Sequence, residues 1–367
     1  MFDERSLREL ASVKANGPIL SIYLDVDPTK RTADEYKLTL RDLLKQVNGA
    51  ADPADVEAVK RYVDLEYDRS GRGLVMFSRT AEDIWHVFPL SLPVHSGITL
   101  ARKPYISPLV ELNGIYGRYV VAQVDKQGAR FFIFHMGDML DYEGTVGEDI
   151  HHTRKGRGSS VVGMRGGAPA SGRKEAELVQ RNLKDSAIAL AEFCREHRPY
   201  RLLLTGSEHT LAQFQEFLPA SLKDILVGTF PAEMEAGEVE LREHALAVLE
   251  ELSLARQHQL AEAIITAAAK GQNGVLGLDQ TLSIAHDGRI QTLVVERNYH
   301  APGYQCGSCG YLTTQPLEKC VFCSSDVEKI ADAVEAAVGQ VVEKNGTVEV
   351  VNNHVIGESR IGALLRY

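Results

Sequence analysis

Four cysteines near the end of the chain have a spacing that suits metal binding. They form two C-x2-C pairs with ten residues between the pairs: Cys306, Cys309, Cys320 and Cys323. Each pair can form a tight turn in which two thiolates grip one ion, and four thiolates at this spacing favour tetrahedral zinc. Iron, or an empty reduced site, is the alternative. Because four cysteines fill the coordination shell, the predicted zinc is structural and leaves no position for catalysis.

A second candidate functional segment is the basic, glycine-rich stretch from His151 to Lys174, which could bind anions. It contains six basic residues and no acidic one, although the formal net charge of the protein is −10. Its basic residues are Arg154, Lys155, Arg157, Arg165, Arg173 and Lys174. A local basic patch can attract phosphate groups on an acidic protein, because salt screens distant charges. The pattern predicts either a polyanion-binding loop or a solvated one.

The elements around the basic segment favour the polyanion-binding loop over the solvated one. Two β-rich runs, RYVVAQV and RFFIFH, precede it and predict a hairpin. Apolar residues at helical spacing follow it and predict a helix from Gly172 to about His197, with Arg173 and Lys174 on the first turn. The free amides of a helix N-terminus favour anions, so this placement favours the phosphate-binding interpretation.

The remaining pattern indicates an α/β protein. LLLTGS and ILVGTF alternate with helical segments, which predicts a partly parallel sheet. In the first segment, GLVMFS and IWHVFPL predict a pair of strands, and no residue there suggests catalysis. Asp326 is predicted to cap the helix that follows the cysteines. The fifth cysteine, Cys194, is predicted to be a small buried side chain, because no partner base is evident.

Length and composition are those of an ordinary globular protein of two or three domains, with 367 residues of which 44% are hydrophobic. No run approaches the ~20 apolar residues of a membrane span. The N-terminus, MFDERSLREL, lacks the layout of a signal peptide. We therefore expect a cytoplasmic protein with no membrane partner. The absence of coiled-coil heptads favours a monomer.

The order of segments resembles the archaeal and eukaryotic class-one release factor and Pelota family, in its bacterial, Balon-like branch. The stretch GMRGGAPASGRKEAELVQRNLKDSAIAL is similar to the family's Gly-rich loop and the long helix after it. LLLTGS resembles the next strand, and GVLGLDQTL and IGALLRY resemble the third domain. The resemblance implies three α/β domains: 1–113, 114–236 with the basic loop 151–174, and 237–367 with a zinc ribbon at 304–325.

The same resemblance implies a role on the ribosome. In that family the loop ends in a Gly-Gly-Gln tip that enters the peptidyl-transferase centre, and the third domain contacts partner GTPases. Arg165, Gly166 and Gly167 fit the tip, but Ala168 stands where the glutamine would be. Alanine offers no side-chain donor or acceptor, and Pro169 has no N–H, so hydrolysis of peptidyl-tRNA is predicted to be weakened. The first domain lacks the family's Asn-Ile-Lys-Ser motif, which argues against stop-codon reading.

Three functions therefore stay open. The favoured hypothesis is a binding factor that occupies the ribosomal A site in hibernation or rescue and contacts rRNA through the basic loop, with elongation factor Tu as a candidate partner. The second is a peptidyl-tRNA hydrolase or codon-independent release factor that uses the same loop. The third is a zinc-ribbon RNA-binding or assembly protein outside translation, since a fold does not fix a function.

Overall fold

The protein is described by a computed structural model that covers residues 2–146, 168–352 and 354–366. The chain divides into two compact units. The first combines the two ends of the chain, residues 1–115 and 253–367, and the second comprises residues 116–252. The division into three domains stays a prediction. Within the described residues, no helix combines the length and the apolarity needed to cross a bilayer.

The N-terminal part of the first unit is a four-stranded antiparallel sheet in the order β3-β2-β1-β4. Its strands are β1 Ile19–Asp25, β2 Gly73–Arg79, β3 Ile84–Leu90 and β4 Gly97–Ala101. The helices of this part are α1 Glu4–Ser12, α2 Ala33–Gln46, α3 Pro53–Arg61 and α4 Ser107–Tyr116. A π-helical turn, Tyr62–Glu66, follows α3, and a 3-10 turn, Thr80–Glu82, joins β2 to β3. The strand pair predicted from GLVMFS and IWHVFPL is confirmed as β2 and β3.

Sequence signals explain where these helices begin. Thr32 and Glu35 form a reciprocal capping box at the start of α2, which satisfies two otherwise free amides. Asp52 caps α3, and Pro53 occupies its first position, where the missing N–H costs nothing. The apolar faces of α2 and α3 pack on one side of the sheet, against residues such as Leu20, Ile22 and Leu74.

The C-terminal part of the first unit has a second four-stranded sheet, in the order β10-β16-β11-β15. Its strands are β10 Gly274–Leu276, β11 Ile290–Glu296, β15 Thr347–Val351 and β16 Ile361–Leu365. Two helices, α9 Leu278–Asp287 and α10 Ala333–Glu343, belong to this part, with a 3-10 turn at Gly357–Ser359. Strands β11 and β15 are parallel, and the other pairs are antiparallel.

A three-stranded ribbon lies between β11 and α10. Its strands are β12 Gly303–Cys306, β13 Leu312–Thr313 and β14 Val327–Ile330, in the order β13-β12-β14. The prediction that Asp326 caps the following helix is wrong, because β14 comes between them. Asp332 caps α10 instead, with its carboxylate accepting from the amides of Val334 and Glu335. Asp326 pairs with Lys319 at 2.7 Å inside the ribbon.

The second unit is built on a five-stranded mixed sheet in the order β7-β6-β5-β8-β9. The strands are β5 Tyr119–Val124, β6 Gly128–His135, β7 Asp138–Val146, β8 Arg201–Thr205 and β9 Leu226–Phe230. The predicted hairpin is confirmed as β5 and β6, and the predicted parallel pairing as β5 with β8 and β8 with β9. Strand β7, which continues from the hairpin to the basic segment, was not predicted.

Helices cover both faces of this sheet. Helices α5 Ala168–His197, α6 Glu208–Phe217 and α7 Ala220–Lys223 follow the antiparallel strands, and their apolar side chains pack with Val120, Ala122 and Phe131 on one face. The first half of α8 Glu238–Ala269 covers the other face, where Phe230 stacks on His244 at 5.8 Å. The second half of α8 carries Ala261 and Ile264 into the core of the C-terminal sheet in the first unit.

Gly206, directly after β8, is a position where only glycine fits. Its φ is +149°, and a Cβ atom there would lie 2.3 Å from the carbonyl oxygen of Val124. We therefore expect Gly206→Ala to lower the free energy of unfolding of the second unit by about 2–4 kcal/mol, since both backbone strain and a clash must be relieved. Hydrogen exchange of the β5 and β8 amides measures this loss. Gly237→Ala is the matched control, because no atom lies within 4 Å of its added Cβ; equal protection in the two variants would contradict the prediction.

Candidate functional site

The four cysteines come together at the end of the ribbon. Their sulfur atoms all lie within 4.8 Å of one another, although 17 residues separate the first from the last. The Cys306 and Cys323 sulfurs are 3.4 Å apart, and those of Cys309 and Cys320 are 3.5 Å apart. Across the part of the chain that the structure describes, this is the cluster of residues that can hold a metal ion.

Two tight turns bring the ligands together. In the first, Gly310 has φ +78° and donates its N–H to the carbonyl of Cys306 at 3.0 Å, so the chain reverses within one C-x2-C pair. In the second, Ser324 has φ +61° and donates to the carbonyl of Cys320 at 2.9 Å. The amide of Phe322 also points at the Cys320 sulfur, at 3.4 Å. Amides directed at sulfur stabilise a thiolate, which is the form that binds metal.

The geometry fits a four-coordinate ion. A tetrahedral ion with metal–sulfur bonds near 2.3 Å places its sulfurs about 3.8 Å apart, close to the spacing found here. The donor set of four thiolates is soft, and it leaves no ligand position for water or substrate. Hydrogen bonds from Ser325 lower the pKa of Cys323 to about 6, which favours the thiolate at neutral pH. The cluster can therefore hold a metal in a closed, structural site.

Side chains outside the ribbon support this centre. The Gln340 side-chain amide in α10 donates to the carbonyl of Gly310 and so fixes the first turn. The ring of Phe322 packs against His286 at 4.8 Å and Tyr311 at 4.9 Å between ring centroids. Burial is the main reason why the pKa of His286 is lowered. Gln340 and His286 were not predicted, and both lie too far from the cysteine pairs in sequence for spacing to reveal them.

The basic segment is only partly covered by the structure. Six of the predicted RNA-binding residues lie outside the described residues: Arg154, Lys155, Arg157, Arg165, Gly166 and Gly167. Ala168 and Arg173 are described as helical backbone, and Lys174 is an exposed residue of the same helix. Their predicted contact with RNA stays a prediction.

Helix α5 begins four residues earlier than the sequence indicated. It starts at Ala168 rather than Gly172, so the prediction that Arg173 and Lys174 occupy the first turn is wrong. Two alanines favour the helical conformation, and Pro169 is tolerated because the second helical position needs no N–H partner. Gly172 costs about 1 kcal/mol inside a helix, which is too little to end it. The residue at the glutamine position of the Gly-Gly-Gln tip is thus helical, and it is the first residue of α5 that the structure describes.

The first described side chains of α5 are less buried than those of the rest of the helix. The side chain of Asn182 donates to the carbonyl of Lys126, in the turn between β5 and β6, at 3.1 Å. Fourteen residues of the helix precede Asn182, which corresponds to about 21 Å at 1.5 Å per residue. Residues 174–178 are exposed or half-buried, and burial in the core begins with Val179. Helix α5 therefore packs on the sheet from Val179 onwards, and residues 174–178 are more accessible to solvent.

Comparison with known proteins shows which family the region around the second unit is similar to. Residues 104–250 match the model of the bacterial archaeo-eukaryotic release factor family 10. The resemblance to the bacterial release-factor branch is confirmed. The release-factor-like region contains the whole five-stranded sheet, the basic segment and helix α5. No curated protein matches the chain.

Several solved structures are similar to the chain over its length. An archaeal translation termination factor, aRF1, is 15% identical with a TM-score of 0.27, covering 100% of this chain and 99% of that one. An archaeal Pelota described as ribosome-bound with ABCE1 is 12% identical with a TM-score of 0.39, covering 99% and 94%. Dom34 from S. cerevisiae is 9% identical with a TM-score of 0.38, covering 100% and 93%. The predicted α/β class is confirmed, and the described residues form four separate sheets.

Proposed function

We propose that this protein occupies the ribosomal A site during hibernation or rescue, with the basic segment 151–174 directed towards the peptidyl-transferase centre. The observation that supports this most is the junction of that segment with α5. A cationic, glycine-rich stretch with the sequence RGGA runs directly into a helix whose residues 174–178 are exposed or half-buried, inside a release-factor-like region. Ribosomal RNA is the polyanion that such a region would meet.

Charge explains how an acidic protein can bind RNA in this way. The formal net charge of −10 opposes close approach of most of the surface to phosphate. A cationic segment that precedes a helix can enter RNA while much of the acidic remainder stays more than one Debye length away, where salt screens the repulsion. Binding of this kind releases counterions and weakens as salt rises.

The chemistry at the tip supports binding without hydrolysis. Ala168 has no side-chain group to orient water, and Pro169 contributes no N–H. As a helical residue, Ala168 contributes at most its backbone amide to a bound group. We therefore assign the segment a role in occupying the site rather than in cleaving the peptidyl-tRNA ester.

The other parts of the proposal concern the metal and the partners. Zinc is the ion we propose for the four cysteines, because the donor set and spacing suit it best. We further propose that the protein acts as a monomer in the cytoplasm and that elongation factor Tu delivers it to the ribosome.

Reversal of the loop charge tests the proposal. In the triple variant Arg157→Glu, Arg165→Glu and Arg173→Glu, we expect binding to ribosomes in co-sedimentation to fall at least about 100-fold near 0.1 M salt, because attraction to phosphate becomes repulsion. Ribosomes that carry labelled peptidyl-tRNA should keep the label on tRNA when wild-type protein binds. The matched control reverses three exposed residues of the same unit, Lys184, Arg195 and Lys223, and changes the net charge equally.

The control separates a specific loop contact from a general charge effect. An equal loss of ribosome binding in the two triple variants would show that the basic segment makes no specific contact. Unchanged ribosome binding of the loop variant at low and moderate salt would contradict the proposal. Release of labelled peptide above background would instead support the hydrolase alternative. Hydrogen exchange of β5 and β8 shows whether each variant has kept its fold.

A further inference from the structure

The four cysteines of the metal centre differ strongly in their access to solvent. Cys306 and Cys320 are buried, with 2% and 3% of their surface exposed, and Cys309 is half-buried. Cys323 is exposed. A small oxidant in solution therefore reaches one member of the cluster before the others, although all four sulfurs belong to the same site.

The nearest partner of the exposed thiol is in the other turn. The Cys323 sulfur lies 3.4 Å from that of Cys306, while the remaining sulfurs, of Cys309 and Cys320, lie 3.5 Å from each other. Each of these pairs joins the two C-x2-C turns. A thiol this close to an oxidised sulfur can attack it without a large movement of the chain.

We propose that Cys323 is an oxidation site for hydrogen peroxide, and that a disulfide between Cys306 and Cys323 is the first stable product, with release of the metal. The Cys323 thiolate attacks one peroxide oxygen, the O–O bond breaks, and hydroxide leaves as water after it takes up a proton. The sulfenic acid that forms is then attacked by the Cys306 thiolate. The S–S bond forms as the S–O bond breaks, and a second water leaves.

The balance of this reaction is two thiolates, one hydrogen peroxide and two protons giving one disulfide and two waters. Two electrons pass from the sulfurs to the peroxide. The metal keeps only Cys309 and Cys320 as ligands, and two thiolates hold zinc far less tightly than four. Reduction by a dithiol reverses the change, so the ribbon becomes a reversible oxidation sensor. The proposal concerns the isolated chain and does not depend on ribosome binding.

Cys194 provides an internal control for the test. It is buried in the second unit, with 6% of its surface exposed, and desolvation raises its pKa to about 12. A buried, protonated thiol reacts slowly with peroxide. Oxidation specific to the ribbon should therefore leave Cys194 reduced.

The experiment uses the full chain reconstituted with one equivalent of zinc. Peroxide is added, zinc release is followed with a chromogenic chelator, and samples are alkylated and mapped by mass spectrometry. We expect zinc release to follow formation of the Cys306–Cys323 disulfide, at least about tenfold faster than oxidation of Cys194. A dithiol with added zinc should restore binding. The proposal is overturned by a first disulfide within one C-x2-C pair, by oxidation of Cys194 at the same rate, or by retention of zinc after the disulfide has formed.

Discussion

Chelation of the metal is expected to abolish the fold of residues 303–330 and to leave the five-stranded sheet intact. The ribbon strands contain only four, two and four residues, so their own hydrogen bonds cannot hold them. Its buried side chains include Cys306 and Cys320, which are ligands themselves, and Leu312. Structural zinc in such small modules contributes about 10–16 kcal/mol of apparent binding free energy at neutral pH, which greatly exceeds what this core can supply.

Hydrogen exchange with and without a strong chelator measures this effect. Amides of β12, β13 and β14 should lose protection after chelation and regain it when zinc is added back. Cys194→Ser is the matched control, because that cysteine lies outside the cluster and its variant should respond to chelation as the wild type does. Full protection of the ribbon in demonstrably metal-free protein would show that packing against α9 and α10 is sufficient.

Replacement of Glu335 is expected to remove a pH dependence from the stability of the first unit. Its carboxylate accepts hydrogen bonds from the amides of Ile106 at 2.7 Å and Ser107 at 3.3 Å, and from the Ser107 hydroxyl. These residues begin α4, so the carboxylate replaces the missing cap of a helix 228 positions away in sequence. Desolvation is the main reason why the pKa of Glu335 is raised to about 7.

The sign of the effect follows from the raised pKa. Between pH 4.5, the ordinary value of this carboxyl group, and about 7, the folded protein binds a proton that the unfolded chain has lost. The free energy of unfolding therefore falls as pH rises through this window, by about 2–3 kcal/mol. In Glu335→Gln the neutral amide oxygen can still accept from both amides, and this slope should disappear. Glu335→Ala should also lose the slope, and its cost should be largest below pH 4.5, at about 2–3 kcal/mol, because it leaves these donors without an acceptor.

Trp85 offers a direct measurement. It is the single tryptophan of the chain and lies in β3 of the same unit, so its fluorescence reports the urea unfolding of this unit at each pH. His300, which pairs with Asp332 at 2.6 Å nearby, is unchanged in both variants. If Glu335→Gln keeps the slope of the wild type, the pH dependence belongs to another group.

Local patterns predicted the cluster of four cysteines and the central hairpin correctly. The cysteine spacing indicates two turns, and each turn is formed within a few residues. The spacing alone therefore shows which four side chains come together. The β-rich runs likewise predicted the hairpin of β5 and β6 from neighbouring residues alone. Strand β7 was missed because DMLDYEGTV contains three acidic residues and a glycine, which suit an exposed edge but depress the strand pattern.

Features that depend on distant parts of the chain could not be predicted. Nothing near Glu335 marks it as the cap of α4, because its partners lie 228 and 229 residues earlier. Asp326 looked like a cap because short strands such as β14 leave little trace in a sequence. The predicted start of α5 at Gly172 is wrong because a glycine inside a helix costs only about 1 kcal/mol, so the helix includes the residues before it.

The first unit is assembled from both ends of the chain, and this determines when it can be completed during biosynthesis. At about 5–20 residues per second, a nascent chain exposes the sheet of residues 119–230 well before residue 335 has been made. The amides of Ile106 and Ser107 must therefore wait for Glu335, and the start of α4 has no acceptor from this carboxylate until residue 335 has been made. A chain that ends before residue 335 contains the N-terminal part of the first unit but lacks the carboxylate that binds the start of α4. We expect such truncated chains to be substrates for proteolytic quality control.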